Sequence, residues 1–114
     1  MLRPRRYLVV QGPNVIGWSH LEYPIRRTRS AAGWFQAETA LEPLRPAFLR
    51  YRSAGDDPDK LRAYVRERDA LRLRLINFVG GELQAQVDLI SEWEDGRLVL
   101  HVSISDSRYW HLVG

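Results

Sequence analysis

Three histidines, His20, His101 and His111, are the side chains best suited to acid–base chemistry or metal ligation near neutral pH. They are scattered along the chain. None has a carboxylate or a second histidine at the ligand spacing of a helix, so no metal site and no cofactor are expected. A hydrolytic cluster is the next candidate. Asp88, His101, Ser103 and Ser105 fall on the polar side of two adjoining alternating segments, where strand pairing would gather an acid, an imidazole and hydroxyls. The wet face of any antiparallel sheet has the same pattern, and that plainer reading is preferred. Gly17-Trp18-Ser19-His20 lacks the G-x-S-x-G form that sets a nucleophile on a sharp turn. No catalytic residue is assigned, and the balance leans away from an enzyme.

Phosphate recognition is weakly signalled. The segment Gln11 to Gly17 has two glycines behind an apolar run, but lacks the lysine and the glycine spacing of a P-loop. A turn between strands accounts for it. Nucleic-acid binding has a firmer physical basis. Arg3, Arg5, Arg6, Arg26, Arg27 and Arg29 are interleaved with Trp18 and Trp34. Guanidinium groups neutralise a phosphate backbone while indoles stack on bases. Charge is also uneven. Residues 1–57 carry nine arginines and five acids, or +4, and residues 58–114 carry eight basic and nine acidic residues, or −1; together these give the net +3. Against this reading, the net charge is small, no nucleic-acid-binding signature is present, and so small a domain needs most of its aromatics for a core.

The C-terminal half supplies a different surface. Trp93, Tyr109, Trp110, Leu112 and Val113 present more apolar area than one helix covers, and such patches are interfaces unless the tail folds back into its own core. The leading expectation is therefore a non-enzymatic interaction module, acting as a homodimer or with a protein partner. Nucleic-acid binding through the arginine–aromatic half is the alternative. A small-molecule or hydrolytic site on the sheet face comes third.

Composition bounds these readings. The 114 residues suit a single domain, residues 1–114, and 45% apolar with 27% charged residues mark a globular chain. Cysteine is absent, which removes disulfides, thiol nucleophiles and thiolate sites together and fits a reducing compartment. Lys60 is the sole lysine, a bias that a GC-rich genome produces. The basic start, Met1 to Arg6, precedes an apolar run of only Tyr7 to Val10, too short for a secretory signal, and no run suits a membrane span. The cytoplasm of a bacterium is the expected location.

The elements that must position these residues read as α+β: a largely antiparallel sheet of about six strands with one main helix, 58–71, packed on one face. Strands are expected over Arg6 to Gln11, over Val15 to Tyr23 until Pro24 ends it, and over Trp34 to Leu41, with a basic connection from Arg26 to Ser30. The segment 43–53 fits both helical and strand spacing. Pro43 and Pro46 favour a turn over Glu42 to Pro46 followed by a strand. Asp57 caps the main helix and Pro58 opens it; Leu61, Tyr64, Val65 and Leu71 form its apolar stripe, with the stem of Arg68 between them. A meander follows, turning at Gly80-Gly81 and Asp95-Gly96. A two-residue loop at the second turn sets Leu89 opposite Val102 and Asp88 opposite Ser103. At the first turn it sets Phe78 opposite Leu83 and Ile76 opposite Ala85, unless a bulge intervenes.

Overall fold

The structure, a computed structural model, describes residues 5–77 and 81–113. Its order is β1 (Tyr7–Gln11), β2 (Asn14–Ser19), β3 (Tyr23–Ile25), β4 (Ser30–Ala37), α1 (Arg45–Ala54), α2 (Pro58–Ala70), β5 (Arg74–Asn77), β6 (Gly81–Leu83), β7 (Ala85–Glu92), β8 (Leu98–Ile104) and α3 (Ser107–Leu112). The class is α+β, and every strand pairing is antiparallel. The sheet runs β6-β5-β1-β2-β4-β8-β7, with β3 on β4 beside β2. Only Gln84 separates β6 from β7, so one kinked strand begins at one end of the sheet and continues at the other. The sheet is therefore curled, and its concave side encloses the core.

That core gathers Val9, Ile16, Phe35, Leu75, Leu100 and Ile104 from the strands, Phe48 from α1, Tyr64 from α2, and Tyr109 and Trp110 from α3. Period-two alternation accounts for most of it: Leu98, Leu100, Val102 and Ile104 all point inward. A bulge between Val9 and Val10 leaves Ile16 without a direct partner and turns it fully inward.

The main helix forms where the sequence places it. The Asp57 carboxylate accepts from the backbone N–H of Asp59 at 2.9 Å and of Lys60 at 3.3 Å. Tyr64 is its buried anchor and the Arg68 side chain is only 11% exposed, as the stem-filling reading requires; Val65 instead faces outward.

The segment 43–53 corrects the expected turn and strand. A 3-10 turn over Thr39–Leu44 leads directly into helix α1. The two prolines do not oppose this. Pro46 lies in the first helical turn, whose N–H groups have no intrahelical partner in any case, and Pro43 sits in the preceding turn. Leu41, Leu44 and Phe48 then share one buried face. The second strand is also shorter than expected. It ends at Ser19, and Pro24 lies inside the separate strand β3. Pro24 is tolerated there because, among the described residues, β3 pairs on one side only. The third strand begins earlier than expected and stops at Ala37.

Both meander registers differ from expectation. Trp93 N–H donates to the Arg97 carbonyl at 2.8 Å and Gly96 N–H to the Trp93 carbonyl at 2.9 Å, so three residues, not two, make the loop. Gly96, at φ +86°, supplies the left-handed position that loop needs. A bulge at Asp88 shifts the pairing again: Leu89 faces His101, Val87 faces Val102, and Ile90 takes the inward place expected of Leu89. In the first hairpin, Leu75 faces Leu83 and Ile76 faces Glu82, which pairs apolar with apolar on the core side. Phe78 and Gly80 lie outside the described residues.

Candidate interaction surface

The outer face of the sheet carries two indoles. Trp18 on β2 stands opposite Gln36 on β4, and Trp34 lies two residues from Gln36 on that face, the diagonal neighbour that aromatic side chains can reach. Each indole has a guanidinium on one ring face. Arg6 lies 4.2 Å from the Trp18 centroid and Arg97 lies 4.1 Å from that of Trp34. His20 packs edge-on against Trp18, and Trp93 against Trp34 at 5.6 Å.

Of the arginine–aromatic set, Arg6, Trp18 and Trp34 thus share one face, with exposed Arg5 next to Arg6. Arg3 lies outside the described residues. Arg26, Arg27 and Arg29 sit in the turn entering β4, at the opposite end of that strand from Gln36. Arg26 has a structural partner there: it donates to the Trp110 carbonyl at 2.7 Å. Arg97, absent from the expected set, joins the face because the β7–β8 loop folds it over Trp34.

The expected apolar surface divides in two. Tyr109 and Trp110 are 1% and 4% exposed, so the tail folds back into the chain's own core. Trp110 donates its indole N–H to the Ile104 carbonyl at 2.8 Å, and Tyr109 packs edge-on against Tyr7. Burial pushes the Tyr109 hydroxyl up to about 12, with Tyr7 adding to the rise. Leu112, Val113 and Trp93 remain exposed.

The acid–histidine–hydroxyl cluster does not assemble as a relay. Ser103 donates to Asp88 at 2.5 Å, while the His101 Nε2 lies 3.0 Å from Ser91 Oγ. Ser105 donates to the Gln84 carbonyl. Burial holds the His101 imidazole below its ordinary 6.5, with Asp88 pulling it back up. Ser91 and His101 are within hydrogen-bond reach, but Asp88 is hydrogen-bonded to Ser103 rather than to the imidazole. Among the described residues no three metal-binding side chains converge.

A groove between α1 and β7 is the feature the sequence reading did not reach. It holds a cavity of about 240 Å³ with a largely apolar lining, including Leu41, Phe48, Leu49, Ile90 and Leu98. α1 builds one wall: Phe48 forms the floor while Leu49 and Tyr51 stand exposed at the mouth. Tyr51 is steadied by the Tyr64 ring at 5.2 Å, and Tyr64 in turn donates to the Asp88 carbonyl at 2.7 Å. At the rim, Arg45 bridges Glu42 at 3.0 Å and Glu92 at 3.5 Å. Arg52 has neither an ion pair nor a side-chain hydrogen bond among the described residues. A shallower depression, lined by Trp93, Glu94, Asp95 and Arg97, adjoins the cavity across Arg52, Ser91 and Glu92. Reading 43–53 as a strand hid this wall; the helical spacing of Leu44, Phe48 and Tyr51 was the signal for it.

Among the described residues no helix is long and apolar enough to cross a membrane. In comparisons with known proteins, no family model, no curated protein and no solved structure matches this chain.

Proposed function

We propose that this chain is a non-enzymatic protein-interaction module whose contact surface is the groove between α1 and the β7–β8 hairpin. One observation carries the reading: an apolar cavity opens beside the exposed side chains of Leu49 and Tyr51, with exposed Trp93 on the adjoining depression. Its volume of about 240 Å³ falls below the roughly 300–1,000 Å³ of small-molecule sites and suits an inserted side chain. Apolar anchors flanked by charged rims are the usual anatomy of protein contacts. The absence of cysteine supports a cytoplasmic setting for them.

The test places a photo-crosslinking amino acid at Leu49 in cells that make the protein. A discrete protein adduct, lost when Phe48→Glu charges the cavity floor in a variant that still folds by circular dichroism, is expected. No adduct at Leu49, with the protein abundant and folded, overturns the reading.

Nucleic-acid binding is a second reading, favoured by the Arg6–Trp18 and Arg97–Trp34 pairs on one sheet face. The guanidinium on each indole occupies one of the faces a base would use, which is why the groove is preferred. Retardation of a single-stranded probe at low salt that is lost in Arg6→Ala with Arg97→Ala would support it. No retardation would remove it.

A further inference from the structure

We infer that the arginine-rich end of the sheet docks this protein on an anionic phospholipid surface, with the guanidinium groups of Arg27 and Arg29 on the headgroups and Tyr23, Ile25 and Leu112 entering the interface. This surface is separate from the α1–β7 groove, and its role does not depend on that of the groove.

The fold collects the basic segments. The His20 Nδ1 lies 2.8 Å from the Arg5 carbonyl, Arg26 holds the Trp110 carbonyl at 2.7 Å, and the Ile104 N–H donates to the Arg29 carbonyl at 2.8 Å. Residues 5–6, 20–29 and 104–113 therefore meet at one end of the sheet. They carry six arginines against Glu22 and Asp106, or +4, while the other described residues carry ten basic and twelve acidic side chains, or −2. Asp106 is taken by Arg108. Arg6 lies on a ring and Arg26 on a carbonyl, and neither partner carries a charge. Arg5, Arg27 and Arg29 have neither an ion pair nor a side-chain hydrogen bond among the described residues. A field of one sign at one end of a chain with modest net charge selects an anionic partner.

Apolar side chains at the same end decide which anionic partner it is. Tyr23 and Ile25 lie on one side of β3, and both are at least half exposed. Ile25 directly precedes Arg26, and the exposed Leu112 follows Trp110 by two residues, so aliphatic groups flank the arginine turn from two elements. Aliphatic side chains do not stack on bases or bond to phosphates, whereas at a bilayer they enter the boundary between headgroups and acyl chains. Tyrosine is a ring that settles at headgroup level. Docking of this kind needs no spanning helix. Leu98, in the lining of the groove, stands six residues from Ile104 along β8, about 20 Å at the rise of a strand. A docked chain therefore leaves the groove open to a partner.

The test is co-sedimentation with vesicles of phosphatidylcholine and phosphatidylserine, mixed roughly two to one, beside vesicles of phosphatidylcholine alone and a gel-retardation assay with a single-stranded nucleic-acid probe. The full chain is expected to bind the mixed vesicles and not the neutral ones, and to bind less as salt rises. Each guanidinium at such a surface is worth about a fivefold change in partitioning, so Arg27→Gln with Arg29→Gln should weaken binding about 25-fold. Ile25→Gln with Leu112→Gln should weaken it about tenfold or more, because each withdraws apolar area from the interface. All four side chains are exposed, and unchanged circular dichroism with an unchanged melting profile confirms that folding is intact. No sedimentation with the mixed vesicles at low salt overturns the inference. So does equal binding to neutral vesicles, or binding indifferent to either double substitution. Retardation of the probe that the arginine pair abolishes, without vesicle binding, also overturns it and gives this end to nucleic acid.

Discussion

Asp106 is the residue on which the C-terminal closure of the fold turns, and its removal should be costly. It caps α3, accepting from the Arg108 N–H at 3.0 Å. Its other oxygen accepts from the Gln84 N–H at 3.0 Å, the backbone group freed where β6 kinks into β7. The Arg108 guanidinium grips both oxygens, at 3.0 and 2.7 Å, and reaches on to the Glu82 carbonyl at 2.8 Å. Asp106→Ala loses a cap, at about 1 kcal/mol. It also orphans the Gln84 N–H, at about 1–3 kcal/mol. Arg108 is largely exposed and returns to water at little net cost. The sum is about 3 kcal/mol, a fall in Tm on the order of 15 °C for a chain of this size. Urea unfolding followed by tryptophan fluorescence measures it, with Trp110 in the core as a reporter.

The pH dependence of that loss is a second, independent check on the same residue. The Arg108 guanidinium first, then the backbone N–H of Gln84, hold the Asp106 carboxyl far below its ordinary 3.8. A carboxyl depressed by folding binds fewer protons in the native state than in the unfolded one. Its contribution is therefore complete above 3.8 and is lost as pH falls below that value. The gap between the full chain and Asp106→Ala should be widest at neutral pH and close in acid. A difference under about 0.5 kcal/mol at neutral pH, or one that acid leaves untouched, refutes the network described for Asp106.

Three further outcomes are expected. A Cβ at Gly17 would collide with the Phe35 ring and the Gln36 carbonyl, so Gly17→Ala should destabilise by about 1–3 kcal/mol in urea unfolding. The Tyr109 hydroxyl is buried without a hydrogen-bond partner among the described residues, so Tyr109→Phe should hold stability or raise it by about 1 kcal/mol; a loss above that would reveal a partner. His101 is held below 6.5 by burial, so the unfolded chain takes up its proton first and stability should fall as pH drops below 6.5; His101→Gln should flatten that limb of the pH–stability curve.

Helix α2 and the last two long strands were legible because their signals are local. Asp57-Pro58 is a cap and a first-turn proline in sequence, and Leu98, Leu100, Val102 and Ile104 set a period of two along β8. The registers were not legible, because each depends on a single inserted residue. One additional loop residue before Gly96 and the bulge at Asp88 each move the pairing by one place, and alternation remains acceptable either way. α1 was lost to a rule applied at the wrong place: proline breaks a helix interior, whereas Pro46 opens one.

The candidate site failed to show in the sequence for the same reason that it exists. Charge counting points to residues 1–57, yet Arg26 is tied to α3 and Arg6 lies on Trp18, so part of that positive surface is engaged within the fold. The groove instead joins residues more than forty positions apart, Phe48 and Ile90 among them, and neither segment is unusual by itself. An exposed tryptophan is different. Trp93 was grouped with the C-terminal residues as apolar area beyond what one helix covers, and it is the tryptophan of that set that stays exposed, beside the polar turn at Glu94 to Gly96. Tyr109 and Trp110 took the other course open to that set, because a six-residue helix, capped by a buried aspartate, was enough to turn both rings inward. What separates the two cases is a cap: Asp106 folds the tail onto the core, while the turn after Trp93 directs its indole away from it.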